Sequence, residues 1–207
     1  MSATVQHSSE SNEHYTPPHI VEAARATMGG IAIDPFSCAL ANEEVRADTY
    51  LTAGGFTDDW GGPSALVNPP GGLVDRDTFQ SVKPGSRNSM SSAAAGWQAT
   101  WKRWHAGRLG QAVFVCFNLE VLRLTQHLPG VTPACAYPIC FLNERLRFWN
   151  ETHGVEERGI KGTPSHPNAI VYLPPHEAET GASARAIWAD ACDRFRANYA
   201  QYGYVRI

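Results

Sequence analysis

Ala65-Leu66-Val67-Asn68-Pro69-Pro70-Gly71 joins a short apolar run to a corner that no sheet can continue. Two consecutive prolines lack ladder N–H groups and hold φ fixed, so the chain leaves the sheet at Asn68 in a stiff, extended turn. Such a turn holds the Asn68 amide and the Pro69 carbonyl in one geometry. Together they offer two acceptor oxygens, suited to an exocyclic amino group with its two N–H donors. An amine bound this way can lose conjugation with its ring, which frees its lone pair for attack on an electrophile. Residues 64–67 are the strand expected to deliver Asn68.

Upstream, Tyr15-Thr16-Pro17-Pro18 precedes Ile20-Val21-Glu22-Ala23-Ala24-Arg25. Thr16 suits a helix N-cap, with proline at the first helical position. The spacing predicts a helix over 17–27 with Ile20, Val21 and Ala24 inward, stopped by Gly29-Gly30. The next apolar run, Ile31-Ala32-Ile33, ends in Asp34-Pro35-Phe36-Ser37 and leads to a short helix over 39–44. A strand ending in an acidic residue and a tight turn before a helix is how open α/β sheets build ligand crevices. Three strand-end motifs thus fall within roughly one nucleotide-binding half of such a sheet.

Further along, 49–52 reads as a short strand before the turn Ala53-Gly54-Gly55. Residues 71–91 show no clear periodicity, and a loop that long is expected to lie over a site or contact a target. A helix is expected from Ser92 to about 107, with Trp97, Trp101 and Trp104 at helical spacing as core. Ala112-Val113-Phe114-Val115-Cys116-Phe117 has the near-continuous apolar character of a central parallel strand. A helix over 119–128, strands over 138–141 and 169–173, a loop over 153–165 and a helix over 183–202 complete the pattern. In that last helix Ile187, Ala191, Phe195 and Tyr199 share one face. Alternating strands and helices predict a single-domain α/β fold with a mostly parallel, Rossmann-like sheet.

The 207 residues suit one domain, taken as 13–207, behind a polar, Ser-rich lead-in over 1–12 expected to be disordered. Net charge is −3, with 17 basic and 20 acidic residues, which argues against non-specific nucleic-acid binding across the whole surface. Local basic groups remain, namely Lys83, Arg87, Lys102, Arg103, His105 and Arg108, then Arg145 and Arg147. Each reads equally as a solvated face or a phosphate contact. Five cysteines make an odd count without a Cys-x-x-Cys pair, which points to reduced thiols in a cytosolic protein and away from a metal site. No apolar run reaches bilayer length. Nothing in the sequence specifies an oligomeric state.

The order of these motifs resembles the phage-type, Dam-like DNA N6-adenine methyltransferases. The resemblance rests on Tyr15-Thr16-Pro17-Pro18, Ile33-Asp34-Pro35-Phe36-Ser37, Ala41-Asn42, Ala47-Asp48-Thr49-Tyr50-Leu51-Thr52, Trp60 and Val67-Asn68-Pro69-Pro70. It continues through Cys140-Phe141, Arg145-Leu146-Arg147-Phe148 and Thr163-Pro164-Ser165-His166 with Asn168. It implies a phage or prophage enzyme of the bacterial cytoplasm that takes S-adenosylmethionine and methylates a base flipped out of double-stranded DNA. Asn68, Pro69, Pro70 and Gly71 would form the catalytic corner. Tyr15, Thr16, Pro17, Asp34, Pro35, Phe36, Ser37, Asn42 and Asp58 would hold the cofactor. Trp60, Lys83, Arg87, Arg145, Arg147 and His166 would meet the substrate.

Three departures from the family pattern stand out. Gly71 occupies the place of an aromatic residue that stacks on the flipped base, a contact worth roughly 1–3 kcal/mol. Trp60, Trp97, Phe148 and Trp149 are candidates to replace it. Gly54 stands where relatives tend to carry an acidic residue, and Ser37-Cys38-Ala39 replaces the usual glycine run. Two alternatives therefore stay open: the same cofactor with a different acceptor (a modified base, cytosine, RNA or protein), or a binding module that has lost turnover.

Overall fold

The computed structural model describes residues 14–149, 166–175 and 182–207, so the 1–12 lead-in and the 153–165 loop lie outside the described residues. A seven-stranded sheet forms the centre, flanked by helices on both faces. Its strands are β1 (Ile33–Asp34), β2 (Thr49–Tyr50), β3 (Gly62–Val67), β7 (Leu109–Cys116), β8 (Ile139–Leu142), β9 (Ala169–Leu173) and β10 (Gly203–Arg206), in the order β10-β8-β9-β7-β3-β1-β2. β2, β1, β3 and β7 run parallel. β9 runs against both β7 and β8, and β10 runs against β8. Five strands therefore point one way and two oppose them. The apolar run at 112–117 was expected to have parallel neighbours, but β7 has one on the β3 side only.

The pleat assigns alternate residues of the central strands to two cores. On one face Ala65, Val67, Ala112, Phe114 and Cys116 pack with α3 (Ser92–His105). On the other, Leu66, Val113 and Val115 pack with α1 (Pro18–Met28) and α5 (Ala182–Tyr199). The tryptophan stripe is core, as its spacing predicts. Each indole N–H finds an acceptor: Trp97 on the Thr132 carbonyl at 2.9 Å, Trp101 on the Tyr137 hydroxyl at 2.6 Å and Trp104 on the Pro174 carbonyl at 2.7 Å. On α5, Ala191, Phe195 and Tyr199 are buried, whereas Ile187, one turn earlier on the same stripe, is 52 % exposed.

Two expectations change. Helix α1 begins at Pro18 with Pro17 as its N-cap, so Thr16 stands one residue outside the cap. Residues 71–91 are not a plain loop. They form a separate antiparallel sheet of β4 (Leu73–Asp75), β5 (Ser81–Val82) and β6 (Ser89–Ser91), in the order β5-β4-β6. The Asp75 carboxylate fastens its first turn by accepting the N–H groups of Asp77 and Thr78, both at 3.0 Å. This sheet leaves the main body directly after Asn68-Pro69-Pro70 and returns into α3. Beyond it lie α2 (Ala39–Val45) and the short α4 (Glu120–Thr125), which is shorter than the 119–128 helix expected.

Helix α3 also braces the proline corner. A Cβ built on Gly96 would overlap the Pro69 ring and reach Phe114 at 3.8 Å. An exposed helical Gly→Ala change is ordinarily favourable by about 1 kcal/mol. Here the overlap outweighs that gain, because overpacking a filled core costs about 1–3 kcal/mol. Gly96→Ala should lower the melting temperature, and any catalysis that depends on the corner should fall with it. An unchanged or raised melting temperature would show that Pro69 is not held by this contact.

Candidate active site

The chain leaves β1 for β2 on one side of the sheet and then crosses to β3 on the other. The boundary between β1 and β3 is thus a topological switch point, where open α/β sheets bind ligands at strand carboxyl ends. A cavity of about 240 Å³ sits there. Its walls come from the segment before α1 (His14, Tyr15, Thr16) and the turn after β1 (Asp34, Pro35, Phe36, Ser37, Cys38). The segment after β2 (Leu51 to Phe56), two α2 residues and the β3 corner (Asn68, Pro70) complete the lining.

Asp34 is the charged group at the floor. It is 5 % exposed, and burial pushes its carboxyl up to about 6 from the usual 3.8. The Phe36 N–H, at 3.1 Å, and the Ser37 hydroxyl donate to it and partly offset that cost. Among the described residues no Lys or Arg pairs with it. A buried carboxyl without a cation beside it holds its proton more readily than one in water. The turn after β2 closes tightly on this floor. Gly54 adopts φ +76°, and a Cβ on Gly55 would overlap the Pro35 carbonyl and the Phe36 ring. Phe36 and Phe56 pack 4.8 Å apart as a tilted pair, with Phe79 of the small sheet stacked on Phe56 at 5.9 Å. Phe79 holds φ +56°, a conformation that bulky residues rarely adopt.

Asn68 enters from the end of β3, the parallel neighbour of β1. Its Nδ2 donates to the His14 carbonyl at 2.7 Å, which fixes the amide and leaves Oδ1 as its acceptor. The His14 segment is itself pinned. Tyr15 and Trp149 form an antiparallel bridge, and the Trp149 indole donates to the Thr16 carbonyl at 3.3 Å. Cys38 caps α2, its sulfur accepting the Ala41 N–H at 3.4 Å and its thiol donating to the Tyr15 hydroxyl at 3.2 Å. Burial lowers the basicity of His14.

The structure thus brings Tyr15, Thr16, Asp34, Pro35, Phe36, Ser37, Asn68 and Pro70 around one cavity, and separates several other expected site residues from it. Pro69 is buried against Gly96, with Gly71 just past the corner. Pro17 is buried as the α1 cap. Asn42 is spent on the α2–β2 turn, where its amide bonds both the N–H and the carbonyl of Ala47, and it does not line the cavity. Asp58 is exposed outside the cavity, its carboxylate against the backbone of Gly54.

Trp60 is 4 % exposed, donates to the Gly55 carbonyl at 2.8 Å and is covered by the Arg103 guanidinium at 4.5 Å. It offers no face to a base, and Trp97 and Trp149 are likewise buried. Lys83 and Arg87 are exposed in the β5–β6 segment of the small sheet. Arg145 and Arg147 line a separate hollow of about 300 Å³ with His19 and Tyr202. His166 is exposed, with its ring 5.7 Å from Phe117.

Leu51, Phe56 and His14 also line the cavity, and their only signal in the sequence is position just beyond, or just before, an expected strand or helix. All five cysteines are unpaired, with Cys116, Cys140 and Cys192 buried. Among the described residues no group of three or more His, Cys, Asp or Glu side chains converges to hold a metal, and no helix is long and apolar enough to cross a membrane. Comparison with family models, with curated proteins and with solved structures found no match.

Proposed function

We propose that this protein transfers a methyl group from S-adenosylmethionine to an exocyclic amino group of a DNA base, adenine N6 foremost. The observation that supports it most is the sharing of one switch-point cavity by a buried, cation-less carboxylate, Asp34, and a fixed amide acceptor, Asn68. When bound, S-adenosylmethionine supplies an electrophilic methyl on a sulfonium. Asp34 takes the ammonium of its amino-acid end, beside Thr16. Phe36 and Phe56 give an apolar wall for its adenine. Asn68 Oδ1 accepts an N–H of the substrate amine and draws it out of conjugation. The amine nitrogen would bond the methyl carbon as the sulfonium S–C bond breaks, S-adenosylhomocysteine would leave as a neutral thioether and the amine's surplus proton would pass out to solvent, so positioning and exclusion of water carry the rate and no strong base is required.

The test is transfer of labelled methyl from S-adenosylmethionine to unmodified DNA, digested to nucleosides. N6-methyladenine is the expected product. Measurable cofactor binding with no methylated base would end the assignment. Gly71 favours a second reading on one observation: a Cβ there would meet nothing within 4 Å. That space suits a larger or already modified acceptor base, which a panel of modified DNA, cytosine-containing DNA and RNA would reveal. An absence of heat on titration with S-adenosylmethionine would instead favour a binding module without turnover.

A further inference from the structure

Gly71 leaves the acceptor ring without a stacking partner at the corner, and three of the four aromatic candidates for that task are buried. A different group of rings lies beside Asn68. His14, whose carbonyl holds the Asn68 amide, places its ring 6.4 Å from Phe117 and within 9° of parallel. Phe148 tilts against both, 6.3 Å from His14 and 6.4 Å from Phe117. All three side chains are only partly buried.

Three separate pieces of chain build this group. Phe117 directly follows β7, the parallel neighbour of the strand that delivers Asn68. Buried Asn168 ties two of the pieces together: its Nδ2 donates to the Phe117 carbonyl and its Oδ1 accepts the Leu146 N–H at 2.7 Å. The third piece, at His14, is tied to Asn68. The 6.4 Å between the His14 and Phe117 centroids is the spacing of an offset-stacked aromatic pair.

Resting on the methyl-transfer reading, we propose that His14 and Phe117, backed by Phe148, form the platform that receives the planar purine or pyrimidine carrying the amine. Asn68 then grips the amine from one side while the rings hold the plane. The cofactor-side rings Phe36 and Phe56 remain a separate set, across the corner.

Phe117→Leu keeps apolar volume and removes the ring. It should lower kcat/KM for DNA roughly 5- to 150-fold, the equivalent of one base stack, with S-adenosylmethionine affinity and melting temperature close to the parent's. Phe117→Trp should keep the activity. Gly71→Tyr added to Phe117→Leu should restore part of it, because the space beside Gly71 is open. Parental transfer by a folded Phe117→Leu protein would overturn the platform and leave the methyltransferase reading standing.

If the parent binds cofactor but methylates nothing, that reading fails, and the platform is judged without turnover. An oligonucleotide carrying 2-aminopurine is then titrated in the presence of S-adenosylhomocysteine. Quenching by the parent and its loss in Phe117→Leu would support stacking there. An equal response from both proteins, or from neither, would overturn it.

Discussion

Asn68→Ala should lower methyl transfer by about 10²–10³-fold, the usual cost of deleting one preorganised polar contact to a reacting group, while S-adenosylmethionine affinity stays near the parent's. The asymmetry follows from where the side chain sits. Asn68 lines the cavity from the end of β3, a different strand from Asp34, and its one described hydrogen bond runs to the His14 carbonyl. Removing it deletes the amine's acceptor and leaves the cofactor floor intact. The cost in stability should stay near 1 kcal/mol, the net worth of one hydrogen bond. Asn68→Asp separates the two jobs of the amide. It keeps an acceptor oxygen but sets a carboxylate against the His14 carbonyl, so the 14–17 segment should loosen and transfer should fall between alanine and parent. Single-turnover rates beside calorimetric cofactor affinities would decide. Parental rates in Asn68→Ala would remove Asn68 from the chemistry.

Asp34→Asn should have the second large effect, in opposite directions on binding and on stability. Folding raises the Asp34 pKa to about 6 from 3.8, through burial. A carboxyl raised on folding favours the folded state fully below its unfolded pKa, and that contribution is lost as pH rises through the folded value. At pH 8 the ionised group therefore costs the apoprotein on the order of 3 kcal/mol. Asparagine still accepts the Phe36 N–H and carries no charge. The variant should therefore melt higher than the parent at pH 8, with the difference closing as pH falls below about 4.

Cofactor binding should move the other way. Losing a charge-assisted contact to the ammonium costs roughly 10- to 150-fold in affinity. Parental affinity should also weaken as pH falls through about 6, because protonated Asp34 cannot pair with a cation. The asparagine variant should lack that pH dependence. Equal affinity and an identical pH profile in the two proteins would mean that Asp34 faces no cation.

What could be read in advance was what the chain writes locally. Two prolines end a strand wherever they occur, and Ile33-Asp34-Pro35 places a carboxylate at a strand end, so both poles of the cavity were legible. The tryptophans of α3 were legible as core from their spacing. The small sheet was not, because strands of two or three residues carry too few alternations to register, and the Asp75 turn that fixes their pairing looks like ordinary polar loop. Nor was the direction of β9: Ala169-Ile170-Val171-Tyr172-Leu173 is buried along its whole length, and a uniformly apolar strand says nothing of which way it runs. Strand β10 was hidden as an edge of four residues just past the long helix.

Single residues follow the same logic. Asn42 and Trp60 have the right chemistry for a ligand, but nearby backbone engages them: Asn42 bonds Ala47, two residues past α2, and the Trp60 indole donates to the Gly55 carbonyl. The His14–Phe117 pair was illegible for the converse reason. The two rings meet across more than a hundred positions of sequence, in a contact that no short motif encodes.

A crystal structure with S-adenosylhomocysteine should show the amino-acid end of the ligand at Asp34 and Thr16, the adenine against Phe36 and Phe56, and the sulfur facing Asn68 Oδ1 across open space. Density for the ligand in the hollow beside Arg145 and Arg147, or a sulfur turned away from Asn68, would contradict it.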